Sequence, residues 1–302
     1  MKVAVLGASG MLGSTVLDVL AASNDFQMVA TLRDGHSHAL PAGTELRYLD
    51  ASFPTGIELE QALKGCAWVI NCIGVIKHHI DDRHSETVER AIQVNALFPH
   101  VLAKAAVATG CKVLQIATDC VYSGRKGAYL ESDPHDALDA YGKSKSLGEV
   151  SSDGMHHLRC SIIGPEIGSD RRSLLEWFLG HPSGSTVTGY TNHLWNGVTT
   201  LHFARLCHGI LHENLPLPSL AHVIPADILP KGELLEAIRD SFERKDLGID
   251  LLPAPQAVDR SLSTSDAALN RCLWSAAGYT VPPSLTQMVA ELAAWARFRR
   301  KA

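Results

Sequence analysis

The first thirteen residues limit the fold more than any other stretch of the chain. Lys2 to Leu6 is a short apolar, β-rich run, and Gly7-Ala-Ser-Gly10-Met-Leu-Gly13 follows it directly. Behind the glycines comes an amphipathic stretch with Leu12, Val16, Val19 and Leu20 on one side. Strand, glycine turn and helix in that order is the context in which a glycine pattern carries meaning. Glycines permit a tight turn and close approach of backbone to a pyrophosphate, and the helix N-terminus attracts the negative charge. The spacing is G-x-x-G-x-x-G, not the G-x-G-x-x-G of many dinucleotide-binding turns. An ordinary βα turn is the plain alternative. At the head of a chain and straight after a strand, the pattern predicts the first unit of a nucleotide-binding sheet.

The next segments alternate as such a sheet requires. Met28 to Leu32 is predicted as the second strand, ending at Arg33. An acidic residue there would suit the ribose hydroxyl of NAD, whereas a cation suits a 2′-phosphate. Asp34, one residue later, keeps NAD open. Glu45 to Leu49 reads as a third strand ending at Asp50-Ala51, where an adenine ring could rest. Ile57 to Leu63 reads as a crossover helix, and Trp68 to Gly74 as a fourth strand running into the turn Asn71-Cys72-Ile73-Gly74. From Ser85 to Thr109 apolar residues recur at helical spacing, with a kink or break expected at Pro99. Asn95 within that run is either a polar group facing the site or a hydrogen-bonded core amide. Lys112 to Ala117 and Leu158 to Gly164 supply a fifth and a sixth strand. Strands alternating with helices predict an α/β fold with a Rossmann-type, doubly wound parallel sheet.

Composition sets the outer bounds. At 302 residues, with 46% hydrophobic and 20% charged residues, two domains are the natural expectation. The predicted division is 1–163 for the nucleotide-binding domain, with return segments near 198–226, and 164–302 for a smaller, interleaved substrate domain. Cationic residues number 27 against 32 acidic ones. The only basic cluster, Arg297, Arg299, Arg300 and Lys301, suits a helix end, so no nucleic-acid partner is expected. No apolar run reaches the roughly 20 residues of a membrane span, and Met1 to Leu6 is not a secretory segment. Seven scattered cysteines without a C-x-x-C predict a reduced, cytoplasmic protein. The fifteen histidines form no H-E-x-x-H or similar motif, and no metal is expected.

The chemistry concentrates between residues 118 and 145. Tyr141 and Lys145 are four apart at the start of a short helical segment, hence on one face. An ammonium near a phenol favours the phenolate and draws its pKa down from about 10, toward what an acid–base group near neutrality needs. Taken alone, such a pair also reads as any solvated helix start. The fifth strand, however, ends Thr118-Asp119-Cys120, and ligands of parallel sheets bind beyond the carboxyl ends of strands. Cys120 reads as a packed side chain rather than a reactive thiol.

The glycine loop, Thr118-Asp119, Tyr129-x-Glu131, Tyr141-Gly-Lys-Ser-Lys145 and Gly148-Glu149 together resemble an extended short-chain dehydrogenase/reductase. Within that superfamily the chain is most similar to the dTDP-4-dehydrorhamnose reductase (RmlD-like) group, over most of its length. Asn192 to Thr200 resembles the family's substrate segment. Asp259 to Ser263 resembles its later Arg-containing segment, without the usual Arg-Pro pair.

The resemblance implies a proton donor in Tyr141, a ribose-holding and tuning residue in Lys145, and a substrate-oxygen ligand in Thr118. It assigns NADPH, with NADH as the alternative, to Gly7, Ser9, Gly10, Met11, Leu12, Gly13, Arg33, Asp50, Ala51, Cys72, Ile73, Gly74, Asn95, Tyr141, Lys145, Ser161 and Ile163. Substrate would meet Val75, Thr118, Asp119, Trp177, Trp195, Asn196 and Arg260. The aromatics of Leu174 to Leu179, Trp177 among them, also read as core. The implied activity is reduction of a keto group, at C4, on a nucleotide-activated deoxysugar for surface polysaccharide precursors. A homodimer is compatible with the pattern. An epimerase or dehydratase on the same fold, or a non-catalytic nucleotide-binding subunit, is the alternative. A dehydratase usually carries an acidic pair beside the threonine, and here Asp119 is followed by Cys120.

Overall fold

The computed structural model describes residues 1–33, 39–167 and 172–299. Asp34, His36, His38, Arg300 and Lys301 lie outside the described residues. Strand β1 (Lys2–Leu6) shows how the sheet is built. Its residues 3–6 are all fully buried, yet they divide between two cores by alternation. Val3 and Val5 pack with Leu12, Val16 and Leu20, while Ala4 and Leu6 pack with Leu59, Leu63 and Leu102. A strand projects successive side chains to opposite faces, so both faces of the sheet are covered.

Around β1 lie β2 (Gln27–Leu32), β3 (Glu45–Tyr48), β4 (Trp68–Asn71), β5 (Lys112–Ala117) and β6 (Met155–Arg159). With the strand Leu220–His222 they make a seven-stranded sheet in the order 220–222, β6, β5, β4, β1, β2, β3. Every pairing is parallel. The order reverses between β1 and β4, which opens a crevice at the carboxyl ends of those strands. The doubly wound parallel sheet is as the sequence predicts.

Helices α1 (Met11–Ala22), α2 (Gly56–Leu63), α3 (Ser85–Ala91), α4 (Phe98–Thr109) and α5 (Ala140–Leu147) cover this half. α2 begins at Gly56, one residue before the predicted start. Thr55 caps it, accepting from the Glu58 backbone while the Glu58 carboxylate takes the Thr55 backbone N–H.

The run expected to kink or break at Pro99 stays helical throughout and loosens just before the proline. Residues Ile92–Leu97 form a π-helical turn between α3 and α4, and Pro99 follows directly after it, so the ladder is already widened where the proline N–H is missing. Pro99 has no N–H to offer the Asn95 carbonyl, and Gly148 packs so closely on that carbonyl that a Cβ would collide with it. The continuous helix Ser85–Thr109 is long and apolar enough to cross a membrane, contrary to the sequence expectation. More than half of its most apolar window is buried inside the fold, as in a core helix.

The sixth strand also departs from expectation. β6 ends at Arg159, and the chain resumes as Ile162–Ile163, paired with Val198–Thr199. Beyond it come α6 (Leu174–Leu179), α7 (Thr200–His212), α8 (Lys231–Ser241), α9 (Ala267–Ala276) and α10 (Leu285–Arg299). α7 returns to the nucleotide-binding half and lies along α1, with Thr15 and Thr200 hydroxyls 3.3 Å apart. The strand His193–Trp195 is flanked by Leu229–Pro230 and Val258–Asp259, which draws the later segments toward the sheet's carboxyl edge.

Candidate active site

The glycine turn takes the shape a phosphate needs. Gly7 has φ +74°, a left-handed conformation that side chains resist, and a Cβ there would stand 2.8 Å from Ile73. A Cβ on Gly13 would strike the Gly7 carbonyl, so only glycine lets α1 start against the turn. Gly10 caps α1 without any side-chain bond, which leaves the first helical N–H groups facing outward for an anion. Ser9 and Gly10 are exposed and Met11 half-buried, while Leu12 is a core residue. Arg33 stands exposed at the end of β2, with buried Ala51 and exposed Asp50 just past β3.

A second wall is formed after β4. The Asn71 amide donates to Gln115 at 3.0 Å, and its oxygen accepts from the Ile73 backbone at 3.1 Å. Asn95, brought inward by the π-turn, clasps Val75 through both backbone groups (2.8 and 2.9 Å) and donates to Ser144 at 3.2 Å. Both readings of Asn95 meet here. It is a satisfied buried amide, and it locks the 71–75 turn to α5. Val75 is accordingly buried behind the turn, its two backbone groups spent on Asn95. Burial pushes the Cys72 thiol far up, so it contributes as packing.

Helix α5 delivers the Tyr and the Lys. Asp139 caps it, one oxygen accepting from Gly142 N at 2.8 Å and the other paired to Lys77 at 2.7 Å. The Thr118 hydroxyl lies near enough to Tyr141 to favour its phenolate; it donates to Asp119 Oδ1 at 3.3 Å and accepts from Cys120 N at 3.2 Å. Lys145 Nζ donates to the Ile116 carbonyl at 3.4 Å and lies 3.9 Å from where a Cβ on Gly74 would be. Thr118, Tyr141, Lys145 and the Gly74 turn therefore lie together at the carboxyl end of β5. Burial raises the Tyr141 phenol and lowers the Lys145 ammonium, the latter opposed by Glu149. The downward pull on Tyr141 expected from Lys145 does not set its pKa: burial raises the phenol, with Cys120, Asp119 and Asp139 adding to the rise and Thr118 opposing it, so the phenol holds its proton.

Substrate-side residues are only partly as predicted. Asp119 is buried, raised by desolvation and held back by Arg260 and Lys231. Arg260 Nε donates to the Tyr122 carbonyl at 2.8 Å, which seats the guanidinium beside Asp119. Lys231, at the start of α8, is lowered by its own burial and supported by Asp119. The sequence reading missed Lys231 and Lys77, which meet the site across the fold and are marked by nothing local, and Asp139 and Ser144, which stand beside Tyr141 in the chain as helix cap and anchor of Asn95. Burial lifts the Cys120 thiol to about 12, consistent with a packed side chain.

Three predicted contacts lie elsewhere. Trp195 is only 5% exposed and packs in the main core beneath Gly197, rather than presenting an open face. Asn196 spends its amide on the Leu262 backbone, donating at 2.7 Å and accepting at 2.9 Å, so it anchors the 259–263 segment. Trp177 is 44% exposed and packs edge-on against His181, while its neighbour Phe178 fills the core. Ser161 and Ile163 follow β6, where the Ser161 carbonyl accepts from Val198 at 2.8 Å.

Two clasps hold the substrate side in place. Glu131 accepts from Thr264 at 2.6 Å and from Ser265 N and Oγ at 3.0 Å, and these bonds keep its carboxyl down at about 2 against the penalty of burial. Fully buried Arg159 pairs with Glu149 and donates to the Tyr122 hydroxyl at 2.6 Å, with His222 and His135 rings each 2.8 Å away. Tyr122 and Tyr129 stack at 4.1 Å above this network.

Fold and site together define an extended short-chain dehydrogenase/reductase. The chain belongs to the RmlD substrate binding domain family, which it matches over residues 1–162. This is a family of NAD(P)-dependent sugar-nucleotide oxidoreductases. Methionine adenosyltransferase 2 subunit beta of Danio rerio is 26% identical over 250 residues, 80% of this chain and 74% of that one. The dTDP-4-dehydrorhamnose reductase of Streptomyces griseus is 32% identical over 146 residues, 48% of this chain and 42% of that one. Among solved structures, a Bacillus anthracis dTDP-4-dehydrorhamnose reductase in complex with NADP superposes with TM-score 0.70 at 16% identity, covering 97% of this chain and 99% of its own. Bacillus cereus UDP-glucuronic acid 4-epimerase, in complex with UDP-glucuronic acid and NAD, gives 0.72 at 14% identity, with 99% and 100% covered. At these identities the structures establish the shared fold.

Proposed function

We propose that this protein reduces a keto group, at C4, of a nucleotide-activated deoxysugar with NADPH. The observation that carries the reading is the gathering of Thr118, Tyr141 and Lys145 beside the Gly74 turn at the end of β5. The bare glycine turn, with room only for hydrogen at Gly7 and Gly13, fits a dinucleotide pyrophosphate. When bound, the reduced nicotinamide supplies a hydride to the carbonyl carbon. Tyr141, kept protonated by burial, gives its O–H proton to the carbonyl oxygen. Thr118 holds that oxygen in line. Lys145 holds the nicotinamide ribose and offsets the charge left on Tyr141. Positioned proton transfer of this kind contributes about 10²- to 10⁴-fold.

Arg33 supports the preference for NADPH, as does the NADP named for the Bacillus anthracis neighbour. Arg260 and Lys231 supply cationic charge for the substrate's diphosphate. A reducing cytoplasm suits the buried thiols of Cys66, Cys111, Cys160 and Cys207. The test is a screen of dTDP-, UDP-, GDP- and CDP-linked 4-keto sugars for NADPH oxidation. Turnover on one of them is expected. Silence across the panel, with the cofactor bound, would overturn the reading.

A second reading has its own support. The Danio rerio relative, similar over 80% of this chain, is named as a subunit of another enzyme. A nucleotide-binding subunit that modulates a partner enzyme needs the glycine turn and has no use for Tyr141. Stable capture of a partner enzyme, without turnover on the panel, would favour it.

A further inference from the structure

Away from the active site, α7 carries His208 and His212 four residues apart and therefore on one face. Their rings stack at 14° with centroids 5.5 Å apart. Asp25, in the loop between α1 and β2, reaches them from the other half of the fold. Its Oδ2 lies 3.0 Å from His208 Nε2 and 3.4 Å from His212 Nδ1. Among the described residues this is the one group of three or more His, Cys, Asp or Glu whose ligand atoms all fall within 4.8 Å of one another.

We propose that Asp25, His208 and His212 bind one divalent transition-metal ion such as Zn²⁺. Bonds of about 2.0–2.1 Å from a tetrahedral ion put ligand atoms roughly 3.3 Å apart, so the two distances from Asp25 need little change, and the two imidazole nitrogens lie within 4.8 Å of each other. Two imidazoles and a carboxylate are the donors such ions select, and three protein ligands leave a position for water. The Phe26 ring stands edge-on to His208 at 5.5 Å and restrains its orientation. The local field also favours a cation. Thr15 meets Thr200 near the start of both helices, and Asp25 meets His208 and His212 past the end of one and at the end of the other. α1 and α7 thus run side by side in one direction, and their negative C-terminal ends converge on this site. No sequence motif could show it, because Asp25 and His208 are 183 residues apart. An ion here would pin the far end of the helix that carries the glycine turn.

The test uses the full chain, stripped with a chelator and titrated calorimetrically with ZnCl₂ at pH 7.5. One equivalent is expected to bind saturably and to raise the melting midpoint. Asp25→Asn and His212→Ala should each weaken binding about tenfold or more and remove the midpoint shift. His212 is 59% exposed, so its replacement leaves the core intact. Binding should also weaken below pH ~6.5, where protons compete for the imidazoles. Absence of saturable binding would overturn the proposal. So would a one-equivalent isotherm unchanged by His212→Ala and by His208→Ala/His212→Ala, which would place the ion on other histidines.

Discussion

The cofactor side and the substrate side of the pocket are built by different means. On the cofactor side the backbone does the placing. Gly7 turns left-handed, Gly13 leaves room for the Gly7 carbonyl, and Arg33 and Ala51 simply follow the ends of their strands. On the substrate side, segments far apart in the chain are tied by side chains. Asn196 holds Leu262, Glu131 holds Ser265, Arg260 holds Tyr122, and Arg159 joins Glu149 to Tyr122. Backbone geometry next to a strand tolerates one residue type. A side-chain clasp can be dissolved by a single distant change.

The contrast is broken most forcefully at Arg159. Arg159→Met leaves Glu149 in the interior without its partner, and breaking such a buried pair costs about 3–5 kcal/mol. Urea melts should show that loss, and the 119–136 loop should become more open to hydrogen exchange. A variant as stable as the wild type would mean that the clasps do not hold this side together. On the other side, Gly13→Ala forces the glycine turn away from α1. It should cost roughly 1–3 kcal/mol of stability, with a matching loss of dinucleotide affinity measured by titration. Unchanged affinity would mean that the turn does not cradle the cofactor.

Smaller still is Arg33→Ala, which removes a charge-assisted contact of about 1.5–3 kcal/mol from a 2′-phosphate. NADPH should weaken about 10- to 100-fold while NADH hardly moves. Equal losses, or a wild-type preference for NADH, would contradict the assignment.

The smallest effect is one of pH. Glu131 is depressed to about 2 in the fold, so its stabilising share is present above pH ~4.5 and fades as pH falls toward 2. His202, lowered by its burial, adds a loss that begins below pH ~6.5, where the unfolded chain takes up the proton. Glu131→Gln should lower stability at pH 7 by about 1 kcal/mol and flatten the acid limb of a stability–pH profile. An acid limb identical to wild type would remove Glu131 from that account.

The same contrast explains which features are legible in the sequence. The glycine turn, the alternating strands, Thr118 at a strand end and the Tyr141–Lys145 spacing are local patterns, and each can be read from neighbours in the chain. Lys231 reaches Asp119 from a helix more than a hundred residues later, and no periodicity marks it. Trp195 and Asn196 look like surface recognition residues in the sequence. The core and Leu262 claim them instead, because the later strands fold back over them. Pro99 marks a disturbance of the helix, which is taken up by a π-turn in the residues before it rather than by a break. The pull of Lys145 on Tyr141 is read from spacing alone, and spacing carries no information on burial.

The central claim is that Tyr141, held neutral by burial beside Thr118, delivers the proton. Single-turnover oxidation of NADPH by Tyr141→Phe, on a substrate verified with the wild type, tests it most directly. The account predicts a rate about two to four orders of magnitude lower, with NADPH affinity within about twofold of the wild type. A rate near the wild-type value would contradict it and assign the proton to another group.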